Sequence, residues 1–191
     1  MKKEIFCYLF MLLSFGVQGD WQLSNQDSAI NFVSIKKSTV GEVHTFKKIS
    51  GSINSQGKAQ VLIDLSSVDT HIAIRDERIR GLLFEVAQFA TASISAEVDG
   101  DKLKAMKSGD FYQTNLAIRL ALHGVDKKIE TIVRVVKLSD GRVRVSSGPP
   151  MIIAAKDFGL SKGVEALRLI ANLPSVSAAV PVTFDLLFTE L

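Results

Sequence analysis

Apolar and polar residues alternate along most of this chain, and a period of two matches a β-strand rather than a helix. The longest example covers thirteen residues, 111–123. A strand usually has about 3 to 10 residues, so this segment predicts an unusually long one. Its apolar face carries Tyr112, Thr114, Leu116, Ile118, Leu120 and Leu122.

Further strands are predicted wherever the alternation recurs between turn signals. They cover residues 30–36, 45–54, 59–65, 91–98, 129–138, 142–147, 151–155 and 180–189, and the turns fall at 54–57, 99–101, 107–110, 123–126 and 139–141. An open sheet of this size would leave edges unpaired, so we predict one all-β domain whose antiparallel strands close into a barrel. Such a barrel either fills with side chains or holds one small ligand.

Two segments break the alternation and predict short helices. Residues 164–173 have a helical composition and stop before Pro174, as helices often do. Residues 74–84 have an amphipathic pattern and join two predicted strands. This second segment contains the densest charge cluster of the chain: Arg75, Asp76, Glu77, Arg78 and Arg80.

The charge cluster has two interpretations. In the first, Arg75, Asp76 and Arg78 lie at the mouth of a cavity, where guanidinium groups bind a polar or anionic head group. In the second, Arg75 and Asp76 form an ion pair that attaches the helix to the barrel, while Arg78 and Arg80 are solvated. We favour the second interpretation and keep Arg75, Asp76 and Arg78 as head-group or lid residues.

The first nineteen residues are typical of a signal peptide, with a basic start, an apolar run over residues 5–15 and the small residues Val17 and Gly19 before the expected cleavage site. We therefore expect an exported domain over residues 20–191. Cys7, the only cysteine, would be removed, which leaves no thiol for a disulfide. The remaining chain would hold 21 basic and 19 acidic residues, interspersed along it, and this balance argues against nucleic-acid binding.

No residue pattern for catalysis or metal binding is found. His44, His71 and His123 lack the short spacings that are common in zinc sites, and the sequence has neither a nucleophile elbow nor a phosphate-binding loop. Arg119 with His123, on one strand face, is the only polar pair that could form a reactive site inside a barrel. We predict no catalytic site, no metal and no cofactor.

Several segments, in order along the chain, resemble the YceI-like periplasmic proteins. The most specific is SSVDTHIAIRDERIRGLLFEVAQFATASISA, residues 66–96, and the others are WQLSNQDSAINFVSI at 21–35, VGEVHTFKKISGSI at 40–53, LALHGVDKKIETIVRV at 120–135 and AAKDFGLS at 154–161. The chain departs from the family pattern at Arg78, where His is usual, and at Ala90, where Pro is common. Residues 139–180 align less readily.

The resemblance implies an extended, lipocalin-like antiparallel β-barrel with an elongated apolar cavity for a polyisoprenoid or a prenylated quinone. We therefore expect a non-catalytic periplasmic carrier of such a lipid, in transient contact with a membrane surface or a membrane redox protein. The alternative is an envelope-stress or surface interaction module with a filled barrel. The residues expected to bind the ligand are Phe32, Phe46, Ala92, Ile94, Ala96, Tyr112, Leu116, Ile118, Leu120, Phe184 and Leu186.

Overall fold

The computed structural model describes residues 20–191, so the predicted signal peptide lies outside the described residues. Within that range the chain forms twelve strands: β1 Trp21–Leu23, β2 Ala29–Lys36, β3 Val40–Phe46, β4 Ile49–Ile53, β5 Lys58–Asp64, β6 Val68–Asp69, β7 Thr91–Glu97, β8 Phe111–Leu122, β9 Val125–Lys137, β10 Val143–Ser147, β11 Met151–Ala154 and β12 Ala179–Glu190. The described helices are α1 Ala73–Arg78, α2 Gly100–Ala105 and α3 Ser161–Ile170, with a π-helical turn at Ile79–Leu83 and short 3-10 turns at Leu65–Ser67 and Ala155–Phe158.

Eight of these strands close into a barrel. Strand β12 pairs with β1 on one side, where Leu23 lies opposite Phe188, and with β10 on the other, where Val143 lies opposite the same residue. From β1 the path runs through β4, β5, β7, β8 and β9 to β10, and every neighbouring pair is antiparallel. The predicted closed, all-β barrel is confirmed.

The other four strands extend the wall at one end of the barrel. Strand β2 pairs with β12, β3 pairs with β2, and β6 pairs with β3. On the opposite side of β12, β11 continues the line of β10. Strand β12 therefore has two strands along each of its sides. After β6 the chain enters the helical segment that covers this end of the barrel.

The long hairpin of β8 and β9 is formed by a two-residue turn, which is tighter than the predicted turn at 123–126. His123 and Gly124 both have positive φ, 52° and 75°, and Leu122 pairs with Val125. Two consecutive residues of positive φ give a turn whose twist matches that of the flanking strands. Strand β9 consequently begins at Val125, four residues before the predicted start at Ile129.

Three parts of the structure differ from the sequence prediction. The predicted strand 45–54 is divided between β3 and β4, because the backbone nitrogens of Lys47 and Lys48 bond to Ser67 instead of continuing one ladder. Residues 99–101, predicted as a turn, begin α2, where the Asp99 side chain caps the helix by accepting from the Lys102 backbone nitrogen. Strand β1 was not predicted, since three residues are too few to show a period.

Both predicted helices are present, with shifted bounds. The segment 74–84 is α1 followed by the π-helical turn, and α3 begins three residues before the predicted 164–173 helix. The two helical pieces pack on each other through Gly163, where an added Cβ would lie 2.6 Å from the Leu82 carbonyl oxygen. Residues 72–84, called the cover segment below, are thus held between β6 and α3.

Candidate ligand-binding cavity

The interior of the barrel is hollow. A cavity of about 540 Å³ extends between the strands, within the range of roughly 300 to 1,000 Å³ that is typical of small-molecule sites. Its walls come from the inward-facing positions of the strands, and the alanines at 59, 92 and 96 leave space there because their side chains end at Cβ. The cavity excludes the filled barrel that the alternative interpretation required.

Ten of the eleven predicted ligand-binding residues line this cavity. They come from five different strands, so the alternation identified the inward face of each one. The ten are Phe32, Phe46, Ala92, Ile94, Ala96, Leu116, Ile118, Leu120, Phe184 and Leu186.

Tyr112 is not among the lining residues. It lies in a separate shallow depression with Lys102 and Met106 of the α2 region, and the Lys102 ammonium is 3.9 Å from the centre of its ring. Burial raises the pKa of the Tyr112 phenol. The inward face of β8 therefore continues past Leu116 to a part of the barrel near α2, and Tyr112 lies outside the cavity lining.

Part of the cavity wall is helical and was not predicted. Side chains of α3 and of the segment that follows it face the cavity, together with residues of the cover segment. Both helices were predicted without a face for α3, although Val164, Leu167 and Ile170 recur at helical spacing and could have identified it. The unpredicted helical wall includes Ile79, Leu83, Leu160, Val164, Leu167 and Ile170.

One end of the cavity is polar. Ser34 and Lys36 follow Phe32 on the inward face of β2, and Glu42 and His44 precede Phe46 on the inward face of β3. The register places Phe32 opposite His44 and Ser34 opposite Glu42, which brings the four polar side chains together. The sequence analysis did not select any of the four.

The charge cluster of the cover segment meets this polar end. The Arg75 guanidinium donates to Glu42 at 2.6 Å and to the Thr70 carbonyl at 2.6 Å, and Lys36 pairs with the same Glu42 oxygen at 2.9 Å. Hydrogen bonding from Lys36, and then from Arg75, holds the pKa of the Glu42 carboxyl below its usual value despite some desolvation. The shared carboxylate attaches the cover segment to β3.

The predicted ion pair between Arg75 and Asp76 is wrong. The Asp76 carboxylate instead accepts from the backbone nitrogen of Thr70 at 2.8 Å and from its hydroxyl, so it fixes the start of the helix, and it does not line the cavity. Arg78 lines the cavity and is also partly exposed to solvent. Neighbouring residues of one helix therefore have different partners because they point in different directions around its axis.

His44 is the most deeply buried of the polar residues at this end, with 2% of its surface exposed. Its Nε2 lies 2.7 Å from the Ser34 hydroxyl, whereas its Nδ1 has no hydrogen-bond partner in residues 20–191. Burial lowers the pKa of His44 and the positive charge of Arg75 lowers it further, so the ring is neutral near pH 7. The Arg75 Nε is likewise buried and unpartnered within that range.

Arg119 and His123, the polar pair considered as a reactive site, both lie outside the cavity lining. Arg119 is exposed on the outside of β8, and His123 packs against Phe89 and pairs with Glu85 at 2.8 Å beyond the cavity lining. Across the described part of the chain, no three His, Cys, Asp or Glu side chains are grouped to hold a metal ion. No described helix is long and apolar enough to cross a membrane.

Comparison with known proteins agrees with this geometry. The model of the YceI-like domain family matches residues 21–188. A solved polyisoprenoid binding domain from Saccharophagus degradans, implicated in plant cell wall breakdown, is 37% identical with a TM-score of 0.89, and the match covers 91% of this chain and 100% of that one. No curated protein was found to match.

Two more distant structures share the fold. BcnA from Burkholderia cenocepacia is 21% identical with a TM-score of 0.68, over 87% of this chain and 99% of that one. The YCEI protein of Campylobacter jejuni is 15% identical with a TM-score of 0.55, over 100% and 99% of the two chains. With a family model that spans nearly all the described residues and a hollow barrel of the same architecture, this chain belongs to the YceI-like family.

Proposed function

We propose that this protein is a non-catalytic carrier that sequesters a polyisoprenoid or a prenylated quinone inside its barrel. The observation that carries the proposal is the apolar cavity of about 540 Å³, which a helical segment covers at its one polar end. A site of that shape suits an amphiphile with one long hydrocarbon tail. The polyisoprenoid-binding domain that is 37% identical supports the same ligand class.

The free energy for holding such a lipid comes from removing hydrocarbon from water. Burial contributes about 0.8 kcal/mol per CH2, or roughly 4 kcal/mol for each five-carbon isoprene unit. Ordering a flexible chain and losing its translational freedom offset much of that gain. We therefore expect selection by tail length and shape rather than extreme affinity.

The arrangement of the lining gives the lipid a direction. The tail would lie along the apolar rows that include Ala96 and Ile118, and the head group would lie under the cover segment near Arg75 and Arg78. Asp76 would act through its bond to Thr70, which fixes the helix, rather than by contact with the ligand. This orientation places the polar end of the lipid at the polar end of the cavity.

The carrier would work in the periplasm and load at a membrane surface. Ile72, Ile74 and Ile170 line the cavity and are also 47%, 52% and 50% exposed, so an apolar rim surrounds the covered end. Exposed apolar side chains at an opening favour transfer of a lipid without passage through water. Export and contact with a membrane redox protein remain predictions.

The first test is lipid extraction. The protein is purified from its native host, extracted with organic solvent, and the extract is analysed by mass spectrometry. A co-purifying isoprenoid lipid supports the proposal. Absence of any such lipid, together with no uptake of added long-chain isoprenoids by the extracted protein, would contradict it.

A bulky side chain inside the barrel tests the location of the ligand. Ile118 is buried and faces the cavity, so Ile118→Trp should fill the space and lower isoprenoid uptake at least about tenfold while the fold is kept. Ala117→Trp, on the exposed face of the same strand, is the matched control and should take up lipid normally. Equal uptake by the two variants would place the ligand outside the barrel.

A further inference from the structure

The polar end of the cavity presents donors rather than a balanced mixture of donors and acceptors. The Nε of Arg75 is buried and carries a hydrogen without a partner in residues 20–191. When the Ser34 hydroxyl donates to Nε2 of His44, the ring proton is on Nδ1, which is then a second unpartnered donor. Buried donors without partners are costly, so a small shift that brings either donor to an acceptor in the cavity would be favoured.

The net charge of the lining residues is positive, so it also favours an electron-rich acceptor. Lys36, Arg75 and Arg78 face the cavity with Glu42 as the only carboxylate among the lining residues, an excess of two positive charges. Glu42 is shared between Lys36 and Arg75, and Arg78 has no carboxylate within 4 Å among the described residues.

The nearby carboxylates are engaged elsewhere. Asp76 is bonded to Thr70, and Asp69 is paired with Lys47 at 2.9 Å and accepts from the backbone of His71. Neither Asp76 nor Asp69 lines the cavity. The excess positive charge therefore faces an apolar interior, where a counter-charge is more strongly attracted than in water.

We propose that this polar end binds an anionic oxygen head group, a carboxylate or a phosphate, at the end of the lipid chain; the inference rests on the carrier function proposed above. The oxygens lie against Arg75, His44 and Arg78, and the two arginines supply charge-assisted bonds. The neutral carbonyl of a quinone accepts hydrogen bonds but leaves the excess charge uncompensated. Among prenyl lipids of equal tail length, the acid and the phosphate ester therefore bind more tightly than the alcohol.

The test compares head groups on one tail. The delipidated protein is titrated with geranylgeraniol, geranylgeranoic acid and geranylgeranyl phosphate by displacement of a fluorescent prenyl alcohol, near neutral pH and at low ionic strength. At least one of the two anions should bind about tenfold or more tightly than the alcohol, as expected for one added charge-assisted bond. A phosphate that binds more tightly than the acid assigns a phosphate ester, and the reverse order or equality assigns a carboxylate.

Charge removal at the site supplies the matched variants. Arg78→Gln should reduce the preference for the anions over the alcohol to about threefold or less, because the ionic contact is lost. Arg119→Gln removes the same charge from the outer surface of β8 and should keep the full preference. The comparison separates a local contact from the overall charge of the molecule.

The two proposals fail in different ways. If the alcohol binds as tightly as both anions, the head-group inference is overturned while the carrier function stands. An equal loss of anion preference in Arg78→Gln and Arg119→Gln would also overturn it. If none of the three lipids binds, the carrier function itself is contradicted.

Discussion

His44 shows how a single residue changes the chemistry of an apolar cavity. It stands two positions before Phe46 on β3 and therefore shares its inward face. On the side of Phe32 and Phe46 the lining is apolar, whereas Ser34 and Glu42 beside His44 make this end of the cavity polar. The ring is buried and neutral, so its protonation state couples the cavity to pH.

The stability of the protein should fall on acidification because of His44. Its folded-state pKa lies below the unfolded-state value of about 6.5, so the unfolded chain binds the proton more readily as the pH falls. The stability that this residue contributes is present above about pH 6.5 and is lost as the pH falls towards the folded-state pKa.

Thermal unfolding of two histidine variants checks this effect. Between about pH 7.5 and pH 5.5, His44→Gln should lose less melting temperature than the wild type. His71→Asn removes an exposed histidine that lies 3.6 Å from Asp69, so it shows how much a second histidine adds to the dependence on pH. If both variants lost as much melting temperature as the wild type, the dependence would come from other groups.

At the scale of elements, the contact between α3 and the π-helical turn determines how the cavity is covered. Gly163 allows the two backbones to approach, since an added Cβ would lie 2.6 Å from the Leu82 carbonyl oxygen and 2.7 Å from the Leu83 Cα. Backbone atoms cannot move aside as a flexible side chain can. The covering helices can therefore pack closely only with glycine at this position.

A pair of glycine variants tests this contact. Gly163→Ala should lower the free energy of unfolding by about 1 to 3 kcal/mol, the usual cost of overpacking. Gly81→Ala, where nothing lies within 4 Å of the added Cβ, should leave it unchanged or raise it by up to about 1 kcal/mol. Urea unfolding followed by circular dichroism measures both, and similar values for the two variants would remove the special role of Gly163.

The sequence predicted most strands within one residue because one face of each is buried and the other is solvated. The prediction failed where the contrast between a buried and a solvated face does not mark a strand end or a lining residue. The break between β3 and β4 falls at Lys47 and Lys48, which have neither glycine nor proline to indicate it. Ser34 and Lys36 were missed although counting by twos from Phe32 reaches them. Glu42 and His44 were missed because the predicted strand begins at Thr45, five residues after the start of β3.

At the scale of the whole molecule, the sequence could not distinguish a hollow barrel from a packed one. Leu116, Ile118 and Leu186 would occupy the same inward positions in either case. The difference depends on the summed volume of side chains from all the strands and on how far apart closure holds the walls. That distance follows from strand number and tilt and is not encoded in any one segment.

Ligand binding should stabilise the entire fold, because the cavity is lined by nearly every strand. A lipid present at about 100 times its Kd should raise the free energy of unfolding by about 2.7 kcal/mol, which corresponds to roughly 5 to 10 °C in Tm for a domain of this size. Differential scanning calorimetry of the delipidated protein, with and without added lipid, measures the rise. The Ile118→Trp variant should show none, and an equal rise in that variant would indicate nonspecific binding.

Among the strands of residues 20–191, β12 pairs with β1 and β2 on one side and with β10 and β11 on the other, and so completes the wall on both sides. Without β12, the strands from β1 to β10 would form an open sheet with unpaired edges at β1 and β10, and β2, β3, β6 and β11 would lose their connection to it. Unpaired strand edges and exposed apolar surface favour aggregation, so we expect the chain to be most prone to it before β12 pairs. A lipid can be enclosed only after β12 has paired with its neighbours on both sides.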